Sequence, residues 1–159
     1  MKKAIYPGSF DPFTLGHKDI VERALKVFDH LYIAIGANRS KKPLFSTEER
    51  KSQILEIFGK NDHVSVVVFD TLLADLALKL GTKVIIRGLR AVSDFDIEFQ
   101  MALANRKLDP ELESIFFMTS IKYSFLSSSL IKEIASMKGG GLSGFVPQNV
   151  ERDLISKFQ

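Results

Sequence analysis

Five times along the chain a short run of β-branched or aromatic residues gives way to a segment whose apolar residues recur at helical spacing. That alternation confines the fold to a parallel sheet joined by helices. The runs are Ala4 to Tyr6, Leu31 to Ile35, Val64 to Phe69, Lys83 to Ile86 and Ile115 to Met118. Parallel strands need long crossovers, and these are almost always right-handed, so the intervening helices cover the sheet. The expected architecture is α/β and Rossmann-like, a five-stranded parallel sheet in the order 3-2-1-4-5 with helices on both faces. At 159 residues the chain fits a single domain, 1–159, with a substantial core.

The helices can be bounded from the same pattern. Ile20, Val21, Ala24, Leu25 and Phe28 form the first apolar stripe. Ser46-Thr47-Glu48-Glu49 has capping-box spacing ahead of a helix with Ile54, Leu55 and Phe58 inside and Gly59 near its stop. Leu72, Leu73, Leu76, Ala77 and Leu80 mark a third helix ending near Gly81. Ser93 or Asp94 is expected to cap a long fourth helix that buries Phe95, Phe99, Ala102 and Leu103 and ends before Pro110. Ser127 to Ser129 precede a fifth helix carrying Leu130, Ile131, Ile134 and Met137. One serine suffices for a cap, so three successive hydroxyls exceed what a cap requires. The glycines from Gly139 to Gly144 should stop that helix, and they lack the Lys-Ser/Thr ending of a Walker phosphate loop. Pro147 opens a terminal helix with Val150, Leu154 and Phe158 inside.

Ligands of open α/β sheets bind where the strand order reverses, here between strands 1 and 4. The loop after strand 1 reads Gly8-Ser9-Phe10-Asp11-Pro12-Phe13-Thr14-Leu15-Gly16-His17. Gly8 and Gly16 permit sharp turns or close ligand approach, Pro7 and Pro12 stiffen the path, and His17 falls in the first turn of a helix, where free N–H groups suit phosphate oxygens. After strand 4 comes Arg87-Gly88-Leu89-Arg90, two guanidinium groups around a glycine. A third loop, after strand 2, carries Arg39, Lys41 and Lys42. The Gly-x-Gly-x-x-Gly fingerprint of dinucleotide binding is missing, which counts against hydride transfer.

Composition removes other chemistries. Without cysteine there is no disulfide, thiolate nucleophile or cysteine metal site, and His17, His30 and His63 lack metal-ligand spacing. Any metal should therefore arrive with its ligand. A net charge of +3 and a pI of about 9.1 favour anionic ligands only weakly. A basic nucleic-acid-binding module is the alternative of a different class, but the basic residues are spread along the chain and no nucleic-acid motif stands out. No apolar stretch is long enough to span a membrane, and the N-terminus has no secretory pattern, so a cytoplasmic enzyme is expected.

Gly8-Ser9-Phe10-Asp11-Pro12 followed by Thr14-Leu15-Gly16-His17 resembles the signature of the nucleotidyltransferase superfamily, whose first motif is Thr14-Leu15-Gly16-His17 here and which moves a nucleotidyl group without a covalent enzyme intermediate. Four segments together, Tyr6 to Pro12, Ser40-Lys41-Lys42-Pro43, Ile86 to Ala91 and Tyr123 to Ser129, resemble the bacterial phosphopantetheine adenylyltransferase family across the whole chain. The resemblance implies a nucleotidyltransferase fold, a homohexamer, and reversible adenylyl transfer from ATP to 4′-phosphopantetheine, with dephospho-coenzyme A and pyrophosphate as products, in coenzyme A biosynthesis. Another small adenylyl- or cytidylyltransferase is the nearest alternative.

By that resemblance Ser9, Lys41 and Arg87 bind the acceptor phosphate and Leu73 belongs to the pantetheine pocket. His17 contacts ATP phosphate and stabilises the charge that develops on it. Ser9, Phe10, Gly88, Leu89, Arg90, Glu98, Tyr123, Ser124, Phe125, Leu126, Ser127, Ser128 and Ser129 match nucleotide-binding positions. Ser9 stands where the family often carries threonine and keeps the hydroxyl, while Ile97 replaces an aromatic of some members. Magnesium (Mg2+) is expected to arrive on ATP oxygens. A phosphate acceptor is already an anionic nucleophile at neutral pH, so positioning and charge compensation, not a general base, are what such a reaction needs.

Overall fold

In a computed structural model that describes residues 1–37, 42–137 and 141–159, five parallel strands lie in the order β3-β2-β1-β4-β5. They are β1 (Lys3–Gly8), β2 (His30–Gly36), β3 (Val64–Phe69), β4 (Val84–Leu89) and β5 (Glu113–Met118). The helices are α1 (Leu15–Ala24), α2 (Thr47–Phe58), α3 (Leu73–Leu80), α4 (Val92–Leu108), α5 (Ser128–Ser136) and α6 (Gln148–Phe158). The expected sheet order is thus observed. Arg39, Ser40 and Lys41 of the basic loop, and Gly139 and Gly140 of the glycine-rich segment, lie outside the described residues.

Alternate residues of each strand feed two cores, as the pleat requires. Ala4, Tyr6, Leu31, Ile33, Ile35 and Ile86 face α1, α2, α5 and α6, where they meet Ile20, Val21, Ile54, Ile131 and Leu154. On the other face, Ile5, Ala34 and Ile85 meet Ala74, Leu76 and Ala77 of α3. Central strands are buried on both sides, which is why their sequences are continuously apolar. The first face carries much the larger core. It therefore supplies the rigid platform from which α1 and α5 aim their N-termini.

Helix ends follow their sequence signals in α2 and α3. Ser46 and Glu49 close a reciprocal capping box, Ser46 Oγ accepting from Glu49 N at 3.2 Å and Glu49 Oε2 from Ser46 N at 2.7 Å. Gly81 stops α3 with a left-handed φ of 64° that disfavours any residue with a Cβ.

Four expectations require correction. Arg87, Gly88 and Leu89 do not follow the fourth strand but are its last residues, because β4 pairs with β5 out to Leu89–Met118. Leu55 is exposed: α2 turns Arg50, Gln53, Ile54 and Phe58 inward, and one residue beyond Ile54 lies a further 100° or so around the helix. Neither Ser93 nor Asp94 is the cap of α4. That helix begins at Val92 after Ala91, which makes no side-chain cap bond, and the Asp94 carboxylate reaches back to accept from Arg90 N at 3.2 Å. Finally, Phe95, Phe99 and Leu103 are 41%, 45% and 50% exposed rather than buried. Helix α4 lies over the β4–β5 edge with apolar residues on several sides, so one side meets the sheet and the rest faces outward, with Phe95 stacked on Phe99 at 5.4 Å.

Candidate active site

The C-terminal ends of β1 and β4 open into a cleft of about 420 Å3. Its walls come from the β1–α1 loop, the end of β4, the first half of α4 and the start of α5. This is the crevice that a strand-order reversal creates.

The β1–α1 loop is held by its own packing. Phe10 takes a left-handed φ of 49° and lays its ring over Gly8, where a Cβ would sit 2.8 Å from the ring. A rigid aromatic cannot yield that space, so glycine is required there. Asp11, 6% exposed, accepts from Leu44 N at 3.0 Å, Phe45 N at 2.9 Å and Lys132 Nζ at 3.1 Å. Arg50, 3% exposed, donates through Nη1 to Ser9 O at 2.6 Å and to Gly36 O at 3.3 Å. Sequence reading passed over both charges. Their signal was position: an acid inside the glycine-rich loop, and a cation on the buried side of α2.

His17 is oriented by Thr14. The Thr14 N–H donates to His17 Nδ1 at 3.0 Å, and Thr14 Oγ1 accepts from His17 N at 3.3 Å. Because a backbone N–H can only donate, Nδ1 is unprotonated and the neutral ring carries its proton on Nε2. Packing against Phe10 and Phe13, with ring centroids at 5.1 and 5.4 Å, adds burial that pushes the imidazole down to about 4, with further lowering from Arg90 and Arg87. At neutral pH His17 is therefore an uncharged donor, Nε2–H, on the cleft wall.

The two arginines sit in carboxylate forks. Arg87 gives Nε and Nη2 to Glu98 at 2.6 Å each and Nη1 to Pro7 O at 2.8 Å, which leaves one N–H on each terminal nitrogen. Arg90 grips Asp94 through Nε at 3.1 Å and Nη2 at 3.3 Å and reaches Leu126 O through Nη1 at 3.2 Å.

The serine run divides its work. Ser127 Oγ caps α5 by accepting from Leu130 N at 3.0 Å, and Ser128 Oγ donates to Pro12 O at 2.8 Å. Ser129 lines the cleft with no side-chain partner among the described residues. The N-termini of α1 and α5 both open here, and each adds N–H donors and the positive end of a helix dipole.

Of the residues singled out in sequence, Ser9, Phe10, His17, Arg87, Gly88, Arg90, Glu98, Tyr123, Leu126, Ser127, Ser128 and Ser129 line the cleft. Leu73 lines a separate small cavity of about 60 Å3, which shares Arg87 and Glu98 with the main cleft. Leu89 is buried beneath the walls, Phe125 is 56% exposed and meets Phe145, and Ser124 Oγ donates to Ile121 O, so these three lie off the walls. Lys41 lies outside the described residues. Tyr6, Thr14, Ile20, Asp94 and Thr119 also line the cleft, and sequence reading assigned none of them a ligand role.

Comparison with known proteins places this geometry. The family model described as cytidylyltransferase-like matches residues 5–134. A phosphopantetheine adenylyltransferase of Alkaliphilus oremlandii is 54% identical over 99% of this chain and 100% of its own. Its counterpart from Caldanaerobacter subterraneus subsp. tengcongensis is 53% identical over 100% of this chain and 99% of its own. A solved structure from Vibrio parahaemolyticus, assigned by its name to the nicotinate-nucleotide adenylyltransferases, superposes with a TM-score of 0.71 at 18% identity, covering 98% of this chain and 93% of that one. At that identity it speaks for the fold.

The depressed His17 pKa makes stability depend on acid. Between the unfolded value of 6.5 and the folded value of about 4 the unfolded chain binds more protons. The contribution is thus fully present above pH 6.5 and is lost as pH falls toward 4. Thermal unfolding of the unliganded protein from about pH 7.5 to about pH 4.5 should show a steeper loss in the wild type than in His17→Gln. Identical pH profiles would contradict a desolvated His17 that stays neutral in the folded protein.

Proposed function

The chain belongs to the cytidylyltransferase-like family and, within it, to the phosphopantetheine adenylyltransferases, and from that premise we propose that it transfers the adenylyl group of ATP reversibly to 4′-phosphopantetheine, giving dephospho-coenzyme A and pyrophosphate in coenzyme A biosynthesis. The observation that carries the reading is His17, a neutral Nε2–H donor held by Thr14 on the wall of the same cleft that Arg87 lines.

In the forward direction an acceptor phosphate oxygen forms a bond to the α-phosphorus of ATP, and the bond from that phosphorus to the α,β-bridging oxygen breaks, its electrons leaving with pyrophosphate. Arg87 offers two convergent N–H groups to the acceptor phosphate, with the Ser9 hydroxyl and Lys41 as further ligands. His17 donates to an ATP phosphate oxygen on which charge develops. The ATP phosphates lie toward the N-termini of α1 and α5, near Arg90 and the Ser129 hydroxyl. Gly88 and Leu126 flank the nucleotide. Because Nδ1 is held by a backbone donor, Nε2–H keeps its direction through the reaction, which is the preorganisation that electrostatic catalysis requires.

Mg2+, when bound, would offset phosphate charge. Among the described residues no group of three or more His, Asp or Glu can hold a metal, and the cleft carboxylates Asp94 and Glu98 are taken by arginines. These residues do not fit a protein cage for the ion, which leaves ATP oxygens and water as its ligands.

The assembly we propose is a homohexamer. Its support is helix α4, where Phe95, Phe99 and Leu103 on one side and Ile97 and Met101 on another are all at least 41% exposed. A second copy of the same chain is the occupant that would bury them. No helix among the described residues is long and apolar enough to cross a membrane, and we place the enzyme in the cytoplasm.

Three outcomes test these readings. Given ATP, the protein should turn over 4′-phosphopantetheine and leave nicotinamide mononucleotide and glycerol 3-phosphate largely unused; preference for either of the latter would reverse the assignment. At saturating substrates, His17→Ala should lower kcat by about 100- to 1000-fold, the scale of one preorganised oxyanion donor. A folded variant with near-normal kcat would reject its role, and a change confined to the ATP KM would make it a ground-state ligand. Light scattering at working concentration should report six copies, and a monomer would remove the hexamer.

A further inference from the structure

The phenol oxygen of Tyr6 serves neither the core nor the chemistry described so far. Its ring belongs to the core on the α1 face, edge-on to Phe10 at 5.4 Å and tilted to His17 at 6.4 Å, and the residue is 4% exposed. Its oxygen points along the sheet toward the end of β4, 3.8 Å from where a Cβ on Gly88 would stand. Tyr6 lines the cleft, yet its hydroxyl has no hydrogen-bond partner among the described residues. The oxygen opens on the cleft, where solvent is its partner, and phenylalanine would fill the same core space without offering that donor. Burial also holds the phenol well above the usual tyrosine range, against an opposing pull from Arg87, so the group is a neutral O–H donor at any working pH.

The location says which substrate would use it. Strand residues alternate, so Tyr6, Ile86 and Gly88 look toward α1, while Ile5, Ile85 and Arg87 look toward α3 and α4. Arg87 and the Leu73 cavity, assigned to the acceptor, therefore lie on the opposite side from the phenol. Phe10, Ile20 and His17 share the phenol's side of the cleft.

We infer that the Tyr6 hydroxyl is a substrate-contacting donor that hydrogen-bonds an oxygen or nitrogen acceptor of the bound nucleotide, reaching it past the missing side chain of Gly88. The inference rests on the adenylyl-transfer reading for the identity of the nucleotide. In the unliganded protein the hydroxyl meets cleft solvent, which the nucleotide acceptor would displace.

Tyr6→Phe deletes the oxygen and keeps the ring. The variant should unfold at the same temperature as the wild type or higher, while its ATP affinity by calorimetry and its ATP KM both weaken about three- to tenfold, the scale of one neutral hydrogen bond. The KM for 4′-phosphopantetheine should not move. Unchanged ATP affinity would overturn the inference, as would a weakened acceptor KM with normal ATP binding. A marked fall in melting temperature would also overturn it by making the hydroxyl structural. Calorimetry with ATP alone does not depend on the acceptor's identity, so a wild type that binds ATP but ignores 4′-phosphopantetheine would fail the functional reading and leave this one standing.

Discussion

The buried carboxylate of Asp11 is the point at which three segments are fastened together. It accepts two backbone N–H groups at the entrance to α2 and the ammonium of Lys132 on α5, while sitting inside the β1–α1 loop itself. Arg50 completes the arrangement from the other side by donating to the carbonyls that end β1 and β2. A buried charge is tolerated when its hydrogen bonds are met, and removing one partner typically costs about 3–5 kcal/mol. The loop that carries Ser9 and His17 is therefore fixed by groups that never face the cleft. The positions of the chemical groups depend on that fastening more than on the flexibility usual in glycine-containing loops.

A second consequence concerns charge. The cleft would be expected to attract anions through its two arginines, but each is neutralised by a carboxylate on α4, Arg87 by Glu98 and Arg90 by Asp94. What the forks provide is direction: each guanidinium is held in one plane with defined N–H groups left over. Among the described cleft residues, the N-termini of α1 and α5 add positive potential that no carboxylate offsets. A site built in this way discriminates by geometry, which suits a reaction whose nucleophile needs no activation.

Helix α4 shows how one element can answer to two demands. Its inner side supplies Glu98 to the site and Asn105 to the small cavity beside Leu73. Its outer side carries the stacked Phe95 and Phe99. Apolar residues on several sides of a helix read in sequence as deep burial, but here only one side meets the sheet and the others stay exposed.

The sequence by itself determined the five strand runs, five of the helix stripes in outline, and the two loops with unusual chemistry, because these follow from local periodicity, turn chemistry and motifs whose residues are contiguous. It also determined that His17 opens a helix. Only the tertiary structure decided that Nδ1 of that ring is the acceptor, that Arg87 is shared with Glu98 eleven residues away, and that Asp11 meets Lys132 across the chain. It decided equally that Ser127, Ser128 and Ser129 have three different tasks and that Phe95 faces outward. The physical reason is range: propensity and spacing report on neighbours along the chain, whereas hydrogen-bond partners, burial and the protonation they impose are set by contacts that exist only once the strands have been brought side by side.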